Sequence, residues 1–439
     1  MRAVFLAGAW SASFIGDEPA YLRLARGWAQ HGAYTGQWPP LFPGFLALCF
    51  DAFGDQGVRA ARVGLTLLSV LVGALLMALA ANVSGPRAAR LTGWLYALYL
   101  PLVPYAHLAL SETLYLTVLL PALILLARAG REREGAPRWV LPLAGALLGL
   151  SALVREASLA VILCVVPWVA FATRATPRAG LSAAAMTLSM AVLVIAPWSA
   201  RNLFAYAKVV PLSTTSGTNA FLGLNAVYTN FDLVRLADAN PSHVVGSGLR
   251  ARLLSDPPPA WGRAIEGNVA ARDAVNLRSG LRFAVEHPGY VARTRVLRLA
   301  DFFTPLSYAV KFQRLGAYGA PLDHTVLRVG VAWVAVLQVL ALLVLGLLAF
   351  AAARLRPGSR TLMVTVAAAL TAPALLVAMS RFRAPLEALL LIAAAALIAG
   401  PREVAPVRRL GSALVGLAAL SFLWYLSLPP TVASLEAIP

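Results

Sequence analysis

Apolar residues fall in long blocks along this chain, separated by short gaps that collect arginine. A helix crossing a bilayer needs ~20 predominantly apolar residues. Blocks of that kind run over 1–15, 59–81, 88–106, 112–128, 139–154, 157–172, 180–199, 326–350, 361–379, 384–400 and 410–428. The pattern predicts an all-α polytopic membrane protein of about eleven transmembrane helices. The first block is short, rising only ~22 Å against a hydrocarbon core of ~30 Å. No small-residue cleavage site precedes Gly16-Asp17-Glu18, which argues against a cleaved signal peptide. Either translation starts further upstream or the helix ends inside a cavity.

Two segments are too polar to span, 16–57 and 200–325. In the first, Tyr21, Leu24 and Trp28 share a helical face while Arg23, Arg26 and Gln30 lie elsewhere, the pattern of an amphipathic helix along the membrane surface. Pro39-Pro40-Leu41 breaks it, and Phe42 to Phe53 forms a second, more apolar segment. The longer segment opens with the polar, turn-rich stretch Ser213 to Asn219 and closes with a helix expected over Gly280–Phe303. The chain divides accordingly into an N-terminal transmembrane module (1–205) with its first external loop (16–57), an external segment (206–325) and C-terminal transmembrane helices (326–439).

Composition excludes a water-soluble fold. The 439 residues are 59% apolar and 13% charged, with a mean hydropathy of +0.73, against ~45–50% and about 25% in soluble domains. A net charge of +18 would suit nucleic-acid binding, but no basic stripe with interleaved aromatics appears. The arginines instead sort by side. Alternate gaps hold Arg87, Arg90, Arg128, Arg131, Arg133, Arg138, Arg174, Arg178, Arg354, Arg356, Arg360, Arg402, Arg408 and Arg409, fourteen in all, while the opposite short connections hold only Arg155, Arg381 and Arg383. The richer side is cytoplasmic, which puts the N-terminus inside and the C-terminal tail outside. Cys49 and Cys164 lie in apolar surroundings, without disulfide or metal spacing. The five histidines form no ligand pair.

Charge beside hydrocarbon is costly and usually functional, and this topology collects it on the outer side. Asp17-Glu18 follows the opening block; Asp17 can cap the surface helix, with Pro19 in its first turn, or act as a general base at a dry cavity mouth. His107 and Glu112 flank the start of the fourth span, where Ser111 suits a helix cap. Arg155-Glu156 sits between two short spans, as a local ion pair or a cavity group. Arg381-Phe382-Arg383-Ala384-Pro385 is a tight connection whose guanidiniums suit bidentate phosphate recognition. Arg201-Asn202 follows Pro197-Trp198, where a snorkelling arginine beside a belt tryptophan is the plain alternative. Carboxylates on one side of an outward cavity and guanidiniums on another suit chemistry on a lipid phosphate.

Gly16-Asp17-Glu18-x-x-Tyr21, followed by a surface helix and Pro39-Pro40-Leu41, resembles the first external loop of integral-membrane GT-C glycosyltransferases, similar to the protein O-mannosyltransferases and the bacterial lipid A aminoarabinose transferases. Further matches come in order: Leu110-Ser111-Glu112-Thr113-Leu114, Leu153-Val154-Arg155-Glu156, Pro197-Trp198-x-x-Arg201-Asn202 and Arg381-Phe382-Arg383-x-Pro385. The resemblance covers 1–225 well and 326–400 loosely. It implies a polyprenyl-phosphate-linked sugar donor, a glycan, lipid or protein acceptor, and inversion at the anomeric carbon. Asp17 would be the base, Glu18 would support it or take part in acceptor binding, and Glu112 matches a second acidic position near the cavity. Tyr21, His107, Arg155, Arg201, Asn202, Arg381 and Arg383 would contact substrate, with Arg201, Arg381 and Arg383 neutralising the lipid phosphate. The place of the lysine that precedes the Pro-Pro pair in aminoarabinose transferases is taken by Trp38.

The reading is a multi-pass enzyme of a bacterial cytoplasmic membrane, active on its outer face, with no nucleic-acid partner. No cofactor is implied; a divalent ion accompanying the donor phosphate stays open. A lipid or glycan flippase would call for related halves and broken mid-membrane helices. A polysaccharide polymerase or ligase with a diphosphate-linked donor would rest on arginines in large outer loops.

Overall fold

The structure is a computed structural model. It describes all residues except 11, 13, 35, 133–134, 174–175, 227–248, 321, 354, 357, 400–406 and 437–439. Arg133, Arg174, Arg354 and Arg402 of the cytoplasmic count lie outside the described residues.

Every apolar block forms helix. The order is α1 (Arg2–Ala9), α2 (Glu18–His31), α3 (Leu41–Phe53), α4 (Gly57–Val83), α5 (Pro86–Leu98), α6 (Glu112–Glu132), α7 (Val140–Val154), α8 (Ser158–Ala172) and α9 (Pro177–Tyr206). The external segment carries α10 (Ser216–Leu224), α11 (Leu249–Leu253), α12 (Val269–Glu286), α13 (Pro288–Phe302) and α14 (Tyr308–Arg314). The chain closes with α15 (Thr325–Ala352), α16 (Ser359–Thr371), α17 (Ala384–Ala399) and α18 (Val407–Glu436).

Among the described residues, six stretches are long and apolar enough to cross a membrane: Leu41–Val83, Glu112–Glu132, Pro177–Tyr206, Thr325–Ala352, Ser380–Ala399 and Gly411–Leu428. Three shorter apolar helices accompany them, Val140–Val154, Ser158–Ala172 and Ser359–Leu375. These nine helices do not confirm the expected count of about eleven spans. The opening block gives only the eight residues of α1, a rise of ~12 Å. The block 88–106 stops as α5 at Leu98, because Pro101 and Pro104 withdraw backbone donors and set two 3-10 turns. The helix expected over Gly280–Phe303 is two helices, since Pro288 forces His287 out of helical geometry.

In the N-terminal half α4 packs on α5 and α6, and α7 on α6 and α9; in the C-terminal half α15 and α17 pair, with α17 also against α5. The approach of α7 to α9 is close enough that a side chain at Gly145 would strike the carbonyl of Thr187, and one at Gly149 that of Ala191. This glycine pair, four residues apart, lets the backbones touch, the usual solution where lipid-like surroundings supply no hydrophobic drive between helices.

The first external loop has the expected form. In α2, Tyr21 is buried and Leu24 and Trp28 half-buried, while Arg23, Arg26 and Gln30 are exposed. Gly32, left-handed at φ 65°, ends the helix. The second segment, α3, leads through a 3-10 turn into α4.

Candidate active site

Gly16, at φ +63°, turns the chain so that Asp17 takes the position before α2. Its carboxylate makes no capping hydrogen bond. Oδ2 instead accepts from Nη1 of Arg381 at 2.7 Å. Arg381 lies in the 3-10 turn Ser380–Arg383 that leads into α17, and its Nε donates to Oε1 of Glu112 at 2.6 Å. Glu112, the first residue of α6, also accepts on Oε1 from Nη1 of Arg155 at 2.5 Å. Arg155 sits in extended conformation where α7 ends, donates to the Ser111 hydroxyl at 3.0 Å and lies against the rings of Tyr115 and Phe382.

Two carboxylates and two guanidiniums thus alternate in one line, drawn from four separate stretches. Side-chain exposure grades along it, from 1% at Glu112 and 4% at Arg381 to 34% at Asp17, so Asp17 is the member that faces open space. Alternation is what makes the arrangement tolerable: an isolated ion in an apolar interior costs several kcal/mol or more. Each inner charge here touches its opposite at contact distance.

This line opens on a cavity of about 700 Å³, within the size range of small-molecule sites. Tyr21 and Trp38, ring centroids 4.4 Å apart, form an aromatic wall. Thr215, Ser216, Thr218 and Asn219 bring hydroxyls and an amide from α10, and Leu370, Leu376, Val377 and Met379 form an apolar side. Arg263 and Arg272 stand on the external segment. Among the described residues no three His, Cys, Asp or Glu side chains gather as a metal site, and both carboxylates of the line are already matched by guanidinium.

Of the residues singled out by sequence, Asp17, Glu112, Arg155, Arg381 and Tyr21 are brought together. Glu18 points the other way. It is buried and accepts from the amides of Ile15 at 3.0 Å and Ala109 at 2.9 Å, so it ties the opening segment to the chain before α6. Burial raises its carboxyl above the usual value of 4.5, offset in part by these two amides. His107 is fully buried and bonds Tyr318 at 2.8 Å. Burial, with Arg62 and Arg2 nearby, lowers it to about 3, so the ring is neutral.

Arg201 lies outside the cavity lining. It donates to Asn202 at 3.2 Å and to the carbonyl of Tyr34, and stacks on Trp198 and Tyr206. Asn202 donates to Val210 at 3.1 Å. Arg201 fastens the end of α9 to the segment 16–57, and Asn202 fastens it to the chain that follows the helix. Arg383 is fully buried, with Nε on Glu387 at 2.6 Å and its other nitrogens on the carbonyls of Phe302, Thr304 and Leu306. It holds the external segment to α17 and has no side open to a ligand.

Two local expectations change. Arg381 and Arg383 do have acids at hand; the missed signal is Glu387, four residues after Arg383 on one helical face. Arg155 pairs with Glu112 rather than with its neighbour Glu156. Glu156 accepts instead from Ser213, from Ser216 at 2.8 Å and from Asn219 at 3.4 Å, docking the polar stretch before α10 onto the cavity rim. Trp38, which stands where a lysine was expected, supplies a ring to the wall and no charge.

No protein-family model and no curated protein matches the sequence. Solved structures do match. The oligosaccharyltransferase of Archaeoglobus fulgidus, tethered to an acceptor peptide, aligns over 98% of this chain at 15% identity and a TM-score of 0.50. The same archaeal enzyme, AglB, in complex with an inhibitory peptide and a dolichol-phosphate aligns over 99% at 14% identity and the same score. This chain spans about half of their length, 54% in both. ArnT from Cupriavidus metallidurans aligns more loosely, with a TM-score of 0.37 at 15% identity, over 90% of this chain and 75% of that one. A helical bundle that follows the archaeal oligosaccharyltransferase over 98% of this sequence shares the fold of that enzyme's matching half.

Proposed function

We propose that this chain is a glycosyltransferase that moves a sugar from a polyprenyl-phosphate-linked donor to an acceptor hydroxyl at the outer face of a bacterial cytoplasmic membrane. The observation that carries the reading is Arg381 bridging Asp17 and Glu112 at the floor of a cavity. Its support is chemical. Transfer from a phosphodiester needs a cation where the leaving phosphate gathers charge and a base where the acceptor loses its proton.

In this scheme the acceptor oxygen attacks the anomeric carbon as Asp17 takes its proton. The bond from that carbon to the phosphate oxygen breaks, and the pair leaves with the polyprenyl phosphate. Attack opposite the leaving group inverts the centre. Arg381 and Arg155 stabilise the departing charge, and Glu112 keeps both guanidiniums oriented. Tyr21 and Trp38 offer an aromatic face to the sugar or the first prenyl units. With both carboxylates engaged by arginine, the residues present do not fit a resident divalent cation.

The test is transfer from radiolabelled polyprenyl-phosphate sugars in vesicles containing the full chain. Transfer by the wild-type chain and none by Asp17→Asn supports the reading. Absence of transfer across pentose, hexose and amino-sugar donors refutes it.

A further inference from the structure

We infer that Arg263 and Arg272, on the external segment, form an outer anion-binding pair that takes the phosphate of the lipid-linked donor. This rests on the glycosyltransferase reading above and adds to it residues that neither the sequence motifs nor the four-charge line contain.

The argument starts from which cations are already matched. Four arginines face the cavity: Arg155, Arg263, Arg272 and Arg381. Arg155 and Arg381 are held at contact distance by Glu112 and Asp17. An entering anion must therefore compete with a carboxylate for either of them. Arg263 has no hydrogen bond or ion pair among the described residues, and Arg272 spends a single N–H on the carbonyl of Ile265, at 2.8 Å. The other lining carboxylate, Glu156, is held by two serines and an asparagine. Among the side chains that line the cavity, four guanidiniums meet two carboxylates, Asp17 and Glu156, and a sugar phosphodiester carries one negative charge.

The pair is also held in place. Asn276, 1% exposed, accepts from the Ala264 amide at 2.9 Å and donates to the Ala264 carbonyl at 3.4 Å and the Thr218 hydroxyl at 3.2 Å. This clamps the backbone between Arg263 and Ile265 against α10 and α12. Arg272 lies one turn before Asn276 on α12, so one helix positions both guanidiniums. Asp273 adds to this by accepting from the amides of Gly217 at 2.9 Å and Thr218 at 2.7 Å. A guanidinium with its donors unspent, beside one that spends a single N–H, is suited to a phosphate at an exposed rim.

The experiment compares binding of a polyprenyl phosphate with that of the parent polyprenol, to the full chain in phosphatidylcholine nanodiscs, by tryptophan fluorescence. Charge-assisted hydrogen bonds of about 1.5–3 kcal/mol correspond to a preference for the phosphate of roughly ten- to a hundredfold. Arg263→Ala with Arg272→Gln should bring that preference near parity, and Arg263→Lys with Arg272→Lys should retain part of it. Arg263→Ala alone guards against misfolding, since it removes no hydrogen bond or ion pair among the described residues, and it should lose part of the preference. An unchanged preference in the correctly folded double variant overturns the proposal. So does competition by inorganic phosphate as strong as that by polyprenyl phosphate, which would mark a free-anion site. If the wild-type chain transfers sugar but the double variant has an unaltered donor KM, the pair fails and the transferase stands. If the wild-type chain transfers nothing yet shows the arginine-dependent preference, the reverse holds.

Discussion

Replacing Arg381 by alanine tests the geometry most directly, because one guanidinium serves two carboxylates of different burial. Its bond to Glu112 is interior, with 4% and 1% of the two side chains exposed. Removing one partner of such a pair costs about 3–5 kcal/mol. Arg155 remains on the same carboxylate oxygen at 2.5 Å, which argues for the lower end, near ~3 kcal/mol. The other oxygen, Oε2, already lacks a hydrogen-bond partner among the described residues, so no second contact takes over. The bond to Asp17 adds less, at most about 1 kcal/mol, since Asp17 is 34% exposed and solvent screens it. Arg381→Ala should therefore destabilise the fold by ~3–4 kcal/mol. Adding Glu112→Gln should cost less than the sum of the two single changes, because Arg381 is then no longer left without its acid, although Arg155 loses its carboxylate. Transfer should fall by ~10²–10³ in kcat, the cost of losing one preorganised electrostatic contact to the leaving group. Arg381→Lys should lie between, because an ammonium cannot hold both carboxylates in the same planar fork. The assays are reversible unfolding in mixed micelles and sugar transfer in vesicles. Additive effects of Arg381→Ala and Glu112→Gln on stability, or wild-type turnover in folded Arg381→Ala, would refute the linked four-charge floor.

Asp17→Asn should lower transfer by ~10²–10⁴, the range for a lost general base, while unfolding barely changes, because its ion pair is partly exposed; matched losses of turnover and stability would make Asp17 structural. His107 sets an acid limit. Its folded value of about 3 lies below the ordinary 6.5, so the stability it contributes is present above pH 6.5 and is lost as pH falls toward 3, at up to ~1.4 kcal/mol per pH unit. His107→Gln should flatten that slope in unfolding measured across this window, and an unchanged slope would place the sensitivity elsewhere. Glu18, raised above 4.5, works in the opposite sense, its contribution falling as pH rises through its folded value. EDTA should leave transfer unchanged, since guanidiniums already neutralise both floor carboxylates; a loss restored by added Mg²⁺ or Mn²⁺ would bring a cation into the step.

The helices were legible because a bilayer leaves the chain few choices: long apolar blocks become helices. Helix ends were less legible, being set by single residues that override composition, Pro101 and Pro104 after α5 and Pro288 between α12 and α13. At the site, Asp17, Glu112, Arg155 and Arg381 stood out because each is a charge at the end of an apolar helix and must find a partner. Which partner could not be read, since Arg381 reaches Asp17 across 364 positions and Glu112 across 269. Arg383 shows the converse: a partner four residues away, Glu387, satisfies it locally, so it is not available to neutralise a phosphate. Arg263 and Arg272 gave no signal at all, because nothing in the pattern of the external segment says which of its arginines turns toward the bundle.

These partners bear on why so basic a chain can place charge at its core. An unpaired inner arginine would sit in apolar surroundings at a cost of several kcal/mol, so the bundle can keep Arg155, Arg381 and Arg383 only beside Glu112, Asp17 and Glu387. At the cavity, the arginines without a carboxylate partner among the described residues are Arg263 and Arg272, at the rim. Such a division separates two demands that one arginine would meet poorly. In the proposed transferase, cations at the rim would meet a lipid phosphate before any buried pair is disturbed. A matched floor holds the base and the inner guanidiniums in register without a ligand, and it yields Arg381 only to an anion that can replace the carboxylate of Asp17.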